Sequence, residues 1–394
     1  MSTLVERFAL QYDSDAHRRL VGGKEVIIHC HHYNARLQNT IEGPSRIDGR
    51  RIIVDAAETV FYEHARQVFE AGDSEAERWA AVAGLYAHLG FGKLDFSRIA
   101  EGEVKAPKSH YVEGWATGFR ERNEPVCSFT TGYLQGVIAA VTGRAVTVGE
   151  VACANCGAEA CRFQVSVRET PPLDHEKASH AFVAKREVSK PAASNVDGDA
   201  IQNAIVAMPI HGNQDGLIPA FGVYLANTPA DYYNLVSVRF LEAMRAIGEG
   251  EAAKQLLLHA GETCALNTFR GIMASPEWDG LIAPMIREKP DELFALVALS
   301  NAFGWGNWGI TEHDPEESVQ LESLNGYEAF GALEYGAACS DPQCYMLTGV
   351  ATGMMELVYS TGIIDDRFGT FAGEEGRCIA VHHGGRCEFS VEAA

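Results

Sequence analysis

Cysteine and glutamate recur in one order near the end of each half of the chain. Cys127, Glu150, Cys153 and Cys161 are matched by Cys344, Glu375, Cys378 and Cys387, with Glu-x-x-Cys at the middle of each set. Thiolate sulfur and carboxylate oxygen both suit the tetrahedral shell of zinc, so each set can supply four ligands. Four protein ligands close the shell, which makes such an ion structural rather than catalytic. Cys156 is a spare thiol that could replace Glu150, and Glu374 could replace Glu375. The competing reading is that these are ordinary buried thiols, and the duplication weighs against it.

A second group lies near the N-terminus, where His29-Cys30-His31-His32-Tyr33-Asn34 places three imidazoles within four residues. Imidazole binds iron, copper and zinc, and it titrates near neutrality. On a helix His29 and His32 would share a face; on a strand His29 and His31 would. A set of His29, His32 and Glu113 would form a two-histidine, one-carboxylate site, open to oxygen or substrate if it held non-haem iron or copper. Glu63, His64, His110, Tyr111 and Tyr133 are further candidates to complete it. The plainer reading gives one histidine a hydrogen bond to an aromatic ligand or a backbone carbonyl and leaves the others to packing. Phe91, Tyr111 and Trp115, with His31 and Tyr33, are the expected lining of an apolar pocket, and Phe119, Trp305, Trp308, Tyr327 and Phe330 are further aromatics of the same kind.

The elements that must carry these groups follow from hydrophobic periodicity. The run before His29 reads as a buried strand or the start of a helix. Ala56 to Glu70, Trp79 to Leu89 and Val126 to Val141 have helical spacing, the last stopping at Gly143. Arg144 to Val151 and Cys161 to Val167 alternate as strands of a hairpin. Five landmarks then repeat. Val26–His29 is read against Leu256–His259, and Tyr111–Trp115 against Gly326–Phe330. Pro-x-Cys followed by Thr-Gly and a second Gly occurs in both halves, as does the closing Glu-x-x-Cys with its terminal strand. Gly90, Gly92, Gly304 and Gly306 mark a shared turn that asks for positive φ or close approach.

The chain has 394 residues, room for two or three domains. A hydrophobic content of 46% is ample for buried cores. The net charge of −21 would repel phosphate backbones and anionic lipid, so nucleic acid and membrane are not expected partners. Charged residues interrupt the N-terminal segment where a secretory signal would need an apolar core, and no stretch is long enough to span a bilayer. A cytoplasmic location is therefore expected, with the ten cysteines serving as thiols and metal ligands. The expected organisation is a first copy over residues 1–170, a linker at 171–200 rich in proline, charge and small residues, and a second, diverged copy over 201–394.

Both halves resemble the 4-vinyl reductase (hydrocarbon-binding) domain, known as the sensor half of bacterial phenol- and xylene-responsive activators. The resemblance rests on the hydrophobic-His stretch and on an acidic residue (Glu124 or Asp341) before Pro-x-Cys. Thr-Gly after that Cys and the Glu-x-x-Cys with its terminal Cys complete it. It implies two tandem α/β domains of α+β type, each an antiparallel sheet with covering helices and a Cys-rich metal clip. It further implies a structural zinc on each four-residue set, a small apolar or aromatic ligand, and frequent dimerisation, a homodimer being one form. No G-x-x-x-x-G-K-[ST] loop is present, so the ATPase module of those activators has no counterpart here. The expected function is small-molecule binding, with the first pocket active and the second structural. The alternative is a metal-dependent oxidoreductase working at His29, His31 and His32.

Overall fold

The computed structural model describes residues 4–119, 123–173, 191–336, 340–382 and 384–394. The first half runs α1 (Leu4–Arg7), β1 (Gln11–Asp13), β2 (Arg18–Val21), β3 (Lys24–Cys30), α2 (His31–Glu42), α3 (Gly49–Val68) and α4 (Glu75–His88). It continues with β4 (Gly92–Asp95), β5 (Glu103–Ser109), α5 (His110–Gly118), α6 (Ser128–Thr142), β6 (Val146–Ala152) and β7 (Cys161–Val167). The second half runs α7 (Gly198–Ala207), β8 (Ile218–Ala220), β9 (Val223–Pro229), α8 (Ala230–Ala246) and α9 (Gly250–Cys264). Short α10 (Arg270–Met273) and α11 (Pro276–Leu281) come before α12 (Lys289–Ala302). Then come β10 (Trp308–Asp314), β11 (Ser318–Ser323), α13 (Tyr327–Tyr335), α14 (Tyr345–Tyr359), α15 (Ile364–Arg367), β12 (Phe371–Arg377), α16 (Ile379–His382) and β13 (Cys387–Ala393).

Each half builds its own antiparallel sheet, ordered β4-β5-β7-β6 in the first and β10-β11-β13-β12 in the second. The mixed α+β fold with antiparallel sheets and covering helices is the class expected. A third sheet, ordered β1-β2-β3-β9-β8, is drawn from both halves. Its central pair is antiparallel, with Ile28 opposite Asn227. Flanking bonds repeat about this pair: Ile28 N–H donates to the Phe303 carbonyl at 3.0 Å, and Asn227 N–H to the Leu89 carbonyl at 2.9 Å.

This pairing corrects two of the repeat assignments. Val26–His29 lies on β3, whose counterpart is β9, another seven-residue strand followed at once by a helix. Leu256–His259 lies inside α9 and corresponds to part of α3. The position matching His29 is therefore Thr228, not His259. The second correction shifts Tyr111–Trp115 by two residues, because His110 opens α5 as Tyr327 opens α13. The first error comes from similar short apolar runs that suit a buried strand or a helix equally well; the second is a register slip between two helices of equal length. The remaining landmarks fall on matching elements, and the shared turn has positive φ at Gly90 (92°), Gly92 (115°), Gly304 (86°) and Gly306 (149°).

Two glycine pairs explain why α6 and α14 are buried on every side. A Cβ on Gly132 would overlap the Val54 carbonyl oxygen, and one on Gly136 that of Glu58. In the second half Gly349 meets Leu258 and Gly353 meets Glu262 in the same way. Backbone contact of this closeness permits no side chain. Of the linker range, residues 174–190 lie outside the described residues; Ala192 N–H bonds the Ile310 carbonyl at 2.8 Å, and α7 already begins at Gly198. Among the described residues no helix is long and apolar enough to cross a membrane.

Gly132→Val should lower unfolding free energy by at least about 2 kcal/mol, since overpacking a tight helix contact costs in that range. Gly118→Ala, with nothing within 4 Å of the added methyl, should change it by less than about 0.5 kcal/mol. Urea unfolding of the two variants checks the difference.

Candidate metal clusters and a buried aromatic box

Local geometry brings the cysteine and glutamate sets together. Cys127 is the N-cap of α6, Cys161 opens β7, and Cys153 precedes a single 3-10 turn, Ala154–Cys156, between β6 and β7. The β6–β7 register shifts between Glu150 and Ala152, and the β12–β13 register between Glu375 and Arg377. A bulge of this kind re-aims a side chain. In both halves the affected element carries the glutamate of the set.

The ligand atoms of Cys127, Glu150, Cys153 and Cys161 all lie within 4.8 Å of one another, as do those of Cys344, Glu375, Cys378 and Cys387. The Cys127–Cys161 and Cys153–Cys161 sulfur separations are 3.5 and 3.9 Å, and Cys344–Cys387 is 3.7 Å. These are too long for a disulfide. They match the edge of a tetrahedron with metal–sulfur bonds of about 2.3 Å, which is about 3.8 Å. One glutamate oxygen in each cluster accepts the N-cap N–H, from Cys127 at 2.9 Å or Cys344 at 2.8 Å. The other oxygen, Oε1 of Glu150 or Glu375, is buried with no hydrogen-bond partner. Each cluster thus offers three sulfurs and one orphaned carboxylate oxygen. These two groups could hold a metal ion.

Electrostatics agree with that donor set. Burial, then the Cys153 charge, pushes the Glu150 carboxyl up to about 7; burial and Cys378 push Glu375 up to about 8. Cys153 and Cys378 are held low by hydrogen bonds from their two neighbouring thiols. A divalent cation among these groups would relieve the crowding of negative charge. Cys156 is exposed, and Glu374 is exposed and bonded to Ser390, so neither alternative ligand belongs to its cluster.

The histidine run is divided by a structural boundary: His29 ends up on β3, whereas His31 and His32 open α2. Among the described residues no group with metal-ligand geometry contains His29, His32 or Glu113. This is a correction to the three-ligand set, because the strand-to-helix switch after Cys30 sends the two imidazoles to different places. His31 Nδ1 lies 3.2 Å from the backbone of Tyr224, clasping β9. His32 is half-buried and lines a surface groove. Glu113 is half-buried on α5.

His29 lies in an aromatic box. Its ring stacks on Tyr33 at 4.0 Å and Trp305 at 4.8 Å, with Tyr233 edge-on at 4.9 Å. Neither ring nitrogen has a hydrogen-bond partner. Burial drives its pKa down from 6.5 to about 3, so the imidazole is neutral. Tyr33 continues across the seam, its hydroxyl 3.0 Å from Met346 Sδ. Its repeat equivalent, Tyr232, makes the reciprocal crossing and packs edge-on to Phe129 at 5.0 Å. The other expected lining residues belong to the first core. Phe91 packs on Phe129 at 4.4 Å, Tyr111 stacks on Phe129 at 5.0 Å, and Trp115 lies against Phe119 at 4.6 Å.

Tyr232 and Tyr233 were missed in the sequence, although aligning β3-α2 with β9-α8 would have set Tyr33 against Tyr232. The two cores also differ in bulk. Phe61, Tyr86, Phe129 and Tyr133 surround the first. Ala265, Ser300, Met346 and Val350 hold the same element positions around the second.

A histidine whose pKa is lower folded than unfolded contributes stability that is complete above about 6.5 and is lost as pH falls toward about 3. His29→Phe should therefore flatten the loss of stability below pH 6.5, by up to about 1.4 kcal/mol per pH unit. Urea midpoints between pH 7 and 4.5 give the slope.

Among known proteins, residues 115–167 match the 4-vinyl reductase domain family. That segment runs from α5 to β7 and carries the whole first cluster. No curated protein matches the chain. One similar solved structure is the phenol-responsive sensory domain of the transcription activator PoxR with phenol. It is 19% identical, the match covers 41% of this chain and 85% of that one, and the TM-score is 0.35. Another is a vinyl-4-reductase family protein from Methanocaldococcus jannaschii, 18% identical, covering 29% of this chain and 68% of that one, with a TM-score of 0.23.

Proposed function

We propose that this protein binds a small, mainly apolar or aromatic molecule in the box around His29, and that each Cys/Glu cluster holds one structural zinc. The observation that carries the first part is His29 itself. A buried polar group without a partner costs about 1–3 kcal/mol, and here two ring nitrogens are unpartnered between the faces of Tyr33 and Trp305. A ligand hydroxyl or amine would satisfy one of them while its ring or chain meets the aromatic walls. The family match and the smaller side chains around the second core favour the same reading. The site would be the second copy's pocket, completed by His29 and Tyr33 from the first.

Zinc is the metal favoured by three sulfurs and one oxygen at tetrahedral separations. With all four positions taken by protein, its role is to fasten the terminal hairpin to the N-terminus of α6 or α14. A reducing, cytoplasmic setting suits the nine described cysteines, all free thiols. The two repeats, 1–170 and 201–394 with 171–200 between them, would act as a dimer within one chain.

Elemental analysis should find two zinc ions per chain, and Cys161→Ser should release one of them and lower the melting temperature; a variant that kept both ions would refute the first clip. Phenol, titrated by calorimetry, should bind the unaltered protein and lose at least tenfold in affinity with His29→Phe. Equal affinity in the two proteins would count against the box.

A further inference from the structure

Beside the box, a groove of about 230 Å³ opens between α2 and the end of α5 on one side, and α9 with its continuing turn on the other. That turn, Ala265–Phe269, is a π-helical segment, a distortion frequent at functional sites. It faces both ways: Thr268 lines the groove, while Phe269 packs at 5.7 Å on Trp305 of the box. Tyr33 is likewise shared, lining the groove and stacking on His29. The groove and the box thus share a wall, formed by Tyr33 and the Ala265–Phe269 turn.

Its charge is unusual for this chain. The net charge is −21, yet among the described residues no aspartate or glutamate lines the groove. Arg36 and His32 stand one turn apart on α2 and both face it. The Arg36 guanidinium lies 5.7 Å over the Phe119 ring and has no ion-pair partner among the described residues. His32 stacks on His31 at 3.9 Å, and no hydrogen bond engages its ring among the described residues. A half-buried guanidinium fork held by an aromatic ring, with no acid among the described lining residues, fits a carboxylate in bidentate fashion. One such fork and the small volume suit a monoanion on a single ring or short chain.

We propose that the groove recognises the carboxylate of a small apolar acid through Arg36 and His32, with the apolar body directed past Tyr33 to the His29 box. This rests on the binding role proposed for that box and adds the charge of the ligand. Three probes separate the two claims when titrated by calorimetry into the full chain: benzoate, benzyl alcohol and inorganic phosphate. Benzoate should bind at least tenfold more tightly than benzyl alcohol, and phosphate should not compete. Arg36→Met, and independently Asn267→Glu on the opposite wall, should each weaken benzoate at least tenfold while leaving benzyl alcohol unchanged. His29→Phe should weaken both organic probes. Benzoate no tighter than benzyl alcohol, or unmoved by both groove variants, overturns the anion site while benzyl alcohol binding still supports the box. Competition by phosphate would assign the groove to a free inorganic anion and overturn the proposal. If neither organic probe binds, both readings fall.

Discussion

Antiparallel pairing of β3 with β9 is the constraint on which the rest of the molecule depends. Two edge strands must satisfy their backbone groups, and here each satisfies the other across a pseudo-twofold axis through Ile28 and Asn227. Each strand leads directly into a helix at the seam, so α2 packs between α5 of its own half and α9 of the second, and α8 between α13 of its own half and α3 of the first. Tyr33 then reaches Met346, and Tyr232 reaches Phe129. Neither core is complete without a side chain from the other repeat.

The same seam accounts for the neutral imidazole at the centre. A strand residue that faces a core must place its side chain there whatever its polarity, and His29 occupies such a position where its counterpart is the smaller Thr228. Thr228 is also buried. The two repeats have thus diverged at one symmetric place while keeping the surrounding backbone. Around the first core four ring-bearing positions fill the space; around the second, three smaller side chains and one methionine take those positions. The two Cys/Glu clusters have not diverged in this way. Cap, bulge, donor set and orphaned oxygen recur in both halves.

Much of the architecture could be read along the chain. Helical spacing located α3, α4 and α6, alternation located β6 and β7, and Pro-x-Cys, Glu-x-x-Cys and the terminal Cys together named the four residues of each candidate cluster. These features are local: a helix period, a hairpin and a short spacing are set by neighbours a few residues apart. The histidine run could not be resolved by the same means. A short apolar run such as Val26–Ile28 satisfies strand and helix alike, and the switch after Cys30 depends on pairing with β9, nearly two hundred positions away. Misreading that stretch also hid the true equivalence of Tyr33 and Tyr232.

Composition and spacing determined the tandem plan, the repeated donor sets and the expectation of apolar cores, because each is recorded in residue types at short separation. Only the tertiary structure decided which half receives His29, that His29, His32 and Glu113 do not meet, and that Arg36 faces a groove with no acid among its described lining residues. Those outcomes depend on how two folded repeats dock through one strand pair, and docking is fixed by side chains far apart in the chain.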